Sequence, residues 1–126
     1  MVRRLGGTIA AVVLLSTLSA CSPVCGSGAD TGEAAVAGLI TAARDADGPA
    51  QLCRYVAEGY AVSDSDLSDL RERYADHPDD ELVLRLSGQM GSTAEVIVTD
   101  GMFTDVFFVT SDSDSRWTVA VGTLFG

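Results

Sequence analysis

The chain of 126 residues has no Lys and a single His, while 8 Arg face 18 Asp plus Glu for a formal net charge of −10. That balance leaves no basic footprint for a phosphate backbone, which excludes nucleic acid as a partner. With His77 alone, a His-rich zinc or copper site cannot be built within one chain. A Gly-rich phosphate loop leading into a helix is missing, as is a Gly-x-Ser-x-Gly elbow. A Ser-His-Asp triad would have to use His77, which sits beside Pro78. The acidic runs Asp76–Glu81 and Asp112–Asp114 lack the ligand offsets, central Gly and late Glu of a calcium loop. No metal and no cofactor are expected. The three Cys contain no Cys-x-x-Cys redox pair. Disorder is excluded as the main state, because 47% of residues are apolar and 21% charged.

No apolar run reaches the roughly 20 residues of a membrane-spanning helix. The most apolar stretch, Leu5 to Leu18 (LGGTIAAVVLLSTL), follows Arg3 and Arg4 and reads as the h-region of an export signal. It ends in Leu18-Ser19-Ala20-Cys21, which resembles the lipobox of bacterial lipoproteins, with small residues at the two positions before the Cys. The resemblance implies that the Cys21 thiol takes a diacylglyceryl group, that cleavage falls before Cys21, and that the new amine is acylated, for example with palmitate. Two or more buried chains hold a protein stably where one does not. The expected localisation is the extracytoplasmic face of the cell membrane, with the membrane reached through lipid on Cys21. The expected division is a signal peptide over 1–20, a lipidated tether over 21–30 and one domain over 31–126. Loss of residues 1–20 removes two Arg and no acid, leaving six Arg against 18 acids.

With Cys21 lipidated, Cys25 and Cys53 are an even pair in an exported chain, and a bridge between them is the only intramolecular option. Closing that loop is worth about 3–4 kcal/mol in the chain-entropy model.

Asp30 followed by Glu33 has the spacing of a capping box, and Ala35, Val36, Leu39, Ile40 and Ala43 form one helical stripe. Asp47-Gly48-Pro49 starts a short second helix with Leu52, Cys53, Tyr55 and Val56 inward. Ser63 or Ser65 caps a third helix carrying Leu67, Leu70 and Tyr74, and His77-Pro78 stops it. From Glu81 the period becomes two. Leu82, Leu84 and Leu86 alternate along a first strand, Gly88 to Gly91 makes a turn, and residues 93–99 form a second strand. Asp100-Gly101 is a hairpin signal, Met102 to Thr110 a third strand, and Arg116 to Phe125 a fourth. Two or three helices packed on a twisted four-stranded antiparallel sheet define an α+β class. This element order is similar to the cystatin-like cone of the nuclear transport factor family. The resemblance implies a sheet curled around the first helix.

On the third strand Phe103, Phe107 and Val109 share parity with Asp105, and Met102, Val106 and Phe108 take the other side. A carboxylate among aromatics suits a general base of the ketosteroid-isomerase type, given a phenol donor from Tyr55, Tyr60 or Tyr74. Asp105 is the one catalytic candidate. Its alternative is a charge on an exposed strand that discourages edge pairing. In the alternative arrangement Met102, Val106, Phe108, Val83 and Ile97 cover a helix instead, and the Phe107 parity forms a dimer or partner surface. Trp117, Val119, Val121 and Phe125 read as core.

The function expected is that of a non-catalytic binding module for a protein partner or a small apolar ligand, with a homodimer through the sheet as one form. The rivals are an Asp105 enzyme and a purely structural envelope protein. Replacing Cys21 with Ala is expected to move the protein from the membrane fraction to the soluble one, as read by fractionation and immunoblot. Retention on membranes would contradict lipidation.

Overall fold

A computed structural model of the chain describes residues 25–120. Cys21, the expected export signal, Val121 and Phe125 lie outside the described residues. The order is helix α1 (Gly32–Asp45), a 3₁₀ helix (Pro49–Tyr55), helix α2 (Asp64–Tyr74), a 3₁₀ turn (Asp79–Glu81), then strands β1 (Val83–Met90), β2 (Thr93–Thr99), β3 (Thr104–Ser111) and β4 (Trp117–Val119). The strands form one antiparallel sheet in the order β1-β2-β3-β4. The class is α+β, with the helices on one face of the sheet.

α1 buries Ala35, Val36, Leu39, Ile40 and Ala43, the stripe its helical period requires, and touches all four strands. Its N-cap differs from expectation. Thr31, not Asp30, stands in the extended conformation, and its hydroxyl accepts the Ala34 N–H. Asp30 pairs instead with Arg116, from the far end of the chain. α2 carries the expected Ser63 cap as a reciprocal box with Asp66, whose carboxylate also accepts the Tyr60 hydroxyl at 2.9 Å. That bond raises the Tyr60 pKa above its ordinary value. Leu67, Leu70 and Tyr74 face inward.

The second helix is 3₁₀ rather than α. Leu52 and Val56 are buried, while Cys53 and Tyr55 are half-buried. The Tyr55 ring lies against α1 at Gly38, where any Cβ would collide with it. Arg54 sits 5.6 Å from the same ring, close enough for a cation–π contact.

β2 occupies the expected residues and sends Ala94, Val96 and Val98 inward. β1 runs past the expected turn to Met90, with its register slipping between Ser87 and Met90, and Gly91-Ser92 makes the turn instead. The largest correction concerns sheet polarity. Phe107 and Val109 are buried under the helices, and the Met102, Val106 and Phe108 side looks outward. The alternative that set the Met102 side on a helix is overturned; it arose because both sides of β3 are apolar.

The segment before α1 is held tightly. Cys25 and Cys53 stand at disulfide distance, their Cα atoms 4.6 Å apart. Gly26 and Gly28 donate to the carbonyls of Cys53 and Arg54, both at 2.8 Å, and Ala29 exchanges two bonds with Trp117. Gly28 has φ +66°, and a side chain there would strike the Trp117 carbonyl. The Arg116 guanidinium donates to the Ser27 carbonyl at 3.0 Å and the Gly28 carbonyl at 2.9 Å. The outer edge of β4 is thereby covered, by Ala29 beside Trp117 and by Val56 beside Val119. Covering an edge in this way removes a template for unwanted strand pairing.

Candidate functional site

Asp105 points to the helix side of β3, between Phe103 and Phe107 in parity. Its Oδ2 accepts the Tyr74 hydroxyl at 2.7 Å and Arg73 Nη1 at 3.0 Å. Its Oδ1 accepts the Val106 N–H at 3.0 Å. Its side chain is 20% exposed. Of the three phenols considered, Tyr74 is the one in reach, since Tyr60 is bound to Asp66 and Tyr55 lies on Gly38. Burial, and then the bond to Asp105, push the Tyr74 pKa well above the ordinary phenol value.

The cluster continues to the β2–β3 turn. The Tyr74 ring meets Phe103 edge-on at 5.3 Å and stacks near Phe107 at 6.3 Å. His77 stacks on Phe103 at 4.2 Å, and its Nδ1 donates to the Asp100 carboxylate. Asp100 Oδ1 also takes the Met102 and Phe103 N–H groups, which closes the turn. The His77 bond first, and these N–H groups after it, hold the Asp100 carboxyl below the ordinary carboxylate range. Tyr74, Arg73 and His77 thus fasten the end of α2 to Asp105, Phe103 and Asp100. The chemistry of this arrangement is a clamp, with both Asp105 oxygens engaged.

Asp105 lines neither of two grooves formed by the described residues. A small one lies between α1 and the start of β1, lined by Ile40, Asp79 and Leu84 among others. The larger, about 320 Å³, opens where β1 slips register, with Gly88, Met90, Glu95 and Phe108 in its wall. It sits at one end of the outward sheet face.

That outward face is the other candidate. Val83 is 62% exposed, Val106 and Phe108 39% each, and Met102 and Met90 lie at its ends. Three register rows cross it: Val83, Thr99 and Thr104; Arg85, Ile97 and Val106; Ser87, Glu95 and Phe108. Among the described residues of these rows Glu95 is the one acid and Arg85 the one base, in a chain of net charge −10. Val83, Ile97, Val106 and Phe108 thus share the face with Thr99, Thr104 and Ser87.

The acidic runs are otherwise employed. Asp79 binds Arg44 Nε at 2.8 Å and the Thr41 hydroxyl at 3.0 Å. Asp112 Oδ1 takes the Asp114 and Arg116 N–H groups of its own turn. Among the described residues there is no group of three or more His, Cys, Asp or Glu placed to hold a metal, and no helix long and apolar enough to cross a membrane. Trp117 is half-buried against the core, and Val119 is fully buried. Compared with known families, characterised proteins and solved structures, the chain matches none.

Sequence reasoning passed over Arg85 and Glu95. The cleaner alternation of β2, with Ala94, Val96 and Val98 against Glu95, Ile97 and Thr99, was the signal that could have found the outward side. It also overlooked Arg73, whose position one residue before Tyr74 carried no periodic signal.

Replacing Tyr74 with Phe keeps the ring and deletes the donor to Asp105, and should cost about 1–2 kcal/mol at neutral pH. Because the folded pKa is raised, the hydroxyl's contribution is complete below the unfolded value of about 10 and declines as pH climbs beyond it. The Tyr74→Phe variant should therefore lose less stability between neutral and strongly alkaline pH than the parent. Urea midpoints across pH check this, and identical midpoints and slopes for both proteins would contradict the clamp.

Proposed function

We propose that the chain is a lipid-anchored extracytoplasmic protein, exported by the signal over residues 1–20 and held through Cys21, whose outward sheet face docks a protein partner. The observation that carries the docking function is that face, where exposed Val83, Val106 and Phe108 lie with one charge of each sign on an otherwise acidic domain. The anchoring half rests on Leu18-Ser19-Ala20-Cys21. An anionic domain is repelled by an anionic lipid surface within a Debye length of about 8–10 Å, so covalent lipid does the holding. The tight seating of residues 25–30 would keep the domain close to that anchor, with a short free linker. Placement of the fold with the cystatin-like cone belongs to the same reading, supported by α1 lying across all four strands.

A second reading, a cavity enzyme of the ketosteroid-isomerase type, is favoured by the Tyr74 hydroxyl on Asp105 at 2.7 Å. It requires a substrate cavity at Asp105 and a carboxylate released from Arg73, so we place it behind the docking role.

A photo-crosslinking amino acid at Val106 of the full chain in native envelopes is expected to yield discrete protein adducts, while the same probe at Ser68, exposed on α2, yields none. Equal, featureless labelling from both positions would overturn the docking role.

A further inference from the structure

We infer that the partner seated on the outward sheet face is a second copy of this chain, related by a two-fold axis that pairs Arg85 of each copy with Glu95 of the other. The inference rests on reading that face as the docking surface, and three observations identify the occupant.

The first is charge. A chain with 18 acids against 8 Arg repels its own copies through almost any surface. Among the described residues the three register rows of the outward face carry one charge of each sign, Arg85 and Glu95, so two copies meeting there keep their acidic helix sides apart. At physiological salt, charges separated by more than about 8 Å are largely screened.

The second is that the pattern complements itself. An isologous contact needs every residue's counterpart on the same patch. Arg85 and Glu95 lie on neighbouring strands one register row apart, about 8 Å on an ideal sheet. A two-fold axis in the plane of contact, passing midway between them, exchanges the two positions. The same rotation sets Val83 of one copy over Phe108 of the other and leaves Ile97 and Val106 beside the axis. Charge meets opposite charge, and apolar meets apolar, under one operation. The two sheets then cross steeply, as in the orthogonal class of sheet packing.

The third is that neither charge is otherwise used. Arg73 and Arg116 are taken up by Asp69, Asp105 and Asp30, whereas Arg85 and Glu95 have no ion-pair partner among the described residues. The face spans three strands and is small beside a standard interface. Such a dimer depends on high local concentration, which two-dimensional confinement on a membrane supplies.

The experiment is a charge-reversal cycle read by the Val106 photo-crosslink in intact envelopes, using the full chain. The parent should give an adduct of twice the chain mass whose peptides come from this chain alone. Arg85→Glu and Glu95→Arg, both at surface positions, should each lower its yield several-fold, and the combined reversal should restore it. Unchanged yield in the single reversals, or no recovery in the double, would overturn the pairing. Adducts with a different protein would overturn the second copy while leaving the docking role standing, and labelling no different from the Ser68 control would remove both.

Discussion

A helix ends in carbonyls that its own backbone cannot satisfy, and here the two long helices satisfy each other's. Arg44, in the last turn of α1, donates to the carbonyl of Tyr74, the last residue of α2, at 2.9 Å and to that of His77, three residues further on. Arg71, in the last turn of α2, donates to the Ala43 carbonyl at 2.7 Å and to that of Ala46, at the end of α1. The exchange brings two negative dipole ends together and places a guanidinium on each. A forked donor can reach two carbonyls at once, which the point charge of an ammonium does poorly. With the helix ends joined, Arg73, Tyr74 and His77 are carried to Asp105, Phe103 and Asp100, and α2 is tied to the sheet.

The consequence for the surface is one of distribution. Arg44, Arg71, Arg73 and Arg116 all have partners within the domain, where they join helix ends, a strand and the segment before α1. The acids outnumber them and largely face water. The helix side and loops are therefore strongly anionic, and the outward sheet face is the neutral exception. That contrast follows from where the few cations are placed.

Much of the architecture was legible from periodicity. The α1 stripe, the inward residues of α2, the Ser63 cap and the limits of β2 follow from spacing and capping chemistry. What escaped depended on long-range side-chain choices. Asp30 looked like a cap because its distant partner, Arg116, has no local signal, so the role passed to Thr31. The polarity of β3 was ambiguous because Phe103, Phe107 and Val109 oppose an equally apolar Met102, Val106 and Phe108. Pairing with β2 decides it, since Val96 and Phe107 are register partners and both are buried. Asp105 stood out as a carboxylate sharing parity with Phe103 and Phe107, but nothing local announced Arg73 or told which of the three phenols would reach it. The arginine exchange was invisible for the same reason, as backbone carbonyls carry no sequence.

The most direct test of the account is a double-mutant cycle in urea with Arg44→Lys and Arg71→Lys, which keep both positive charges and remove the forks. The account predicts that each single change costs about 1.5–3 kcal/mol. The double should cost less than their sum, because either loss already loosens the shared joint. Two near-neutral substitutions, or full additivity, would contradict it.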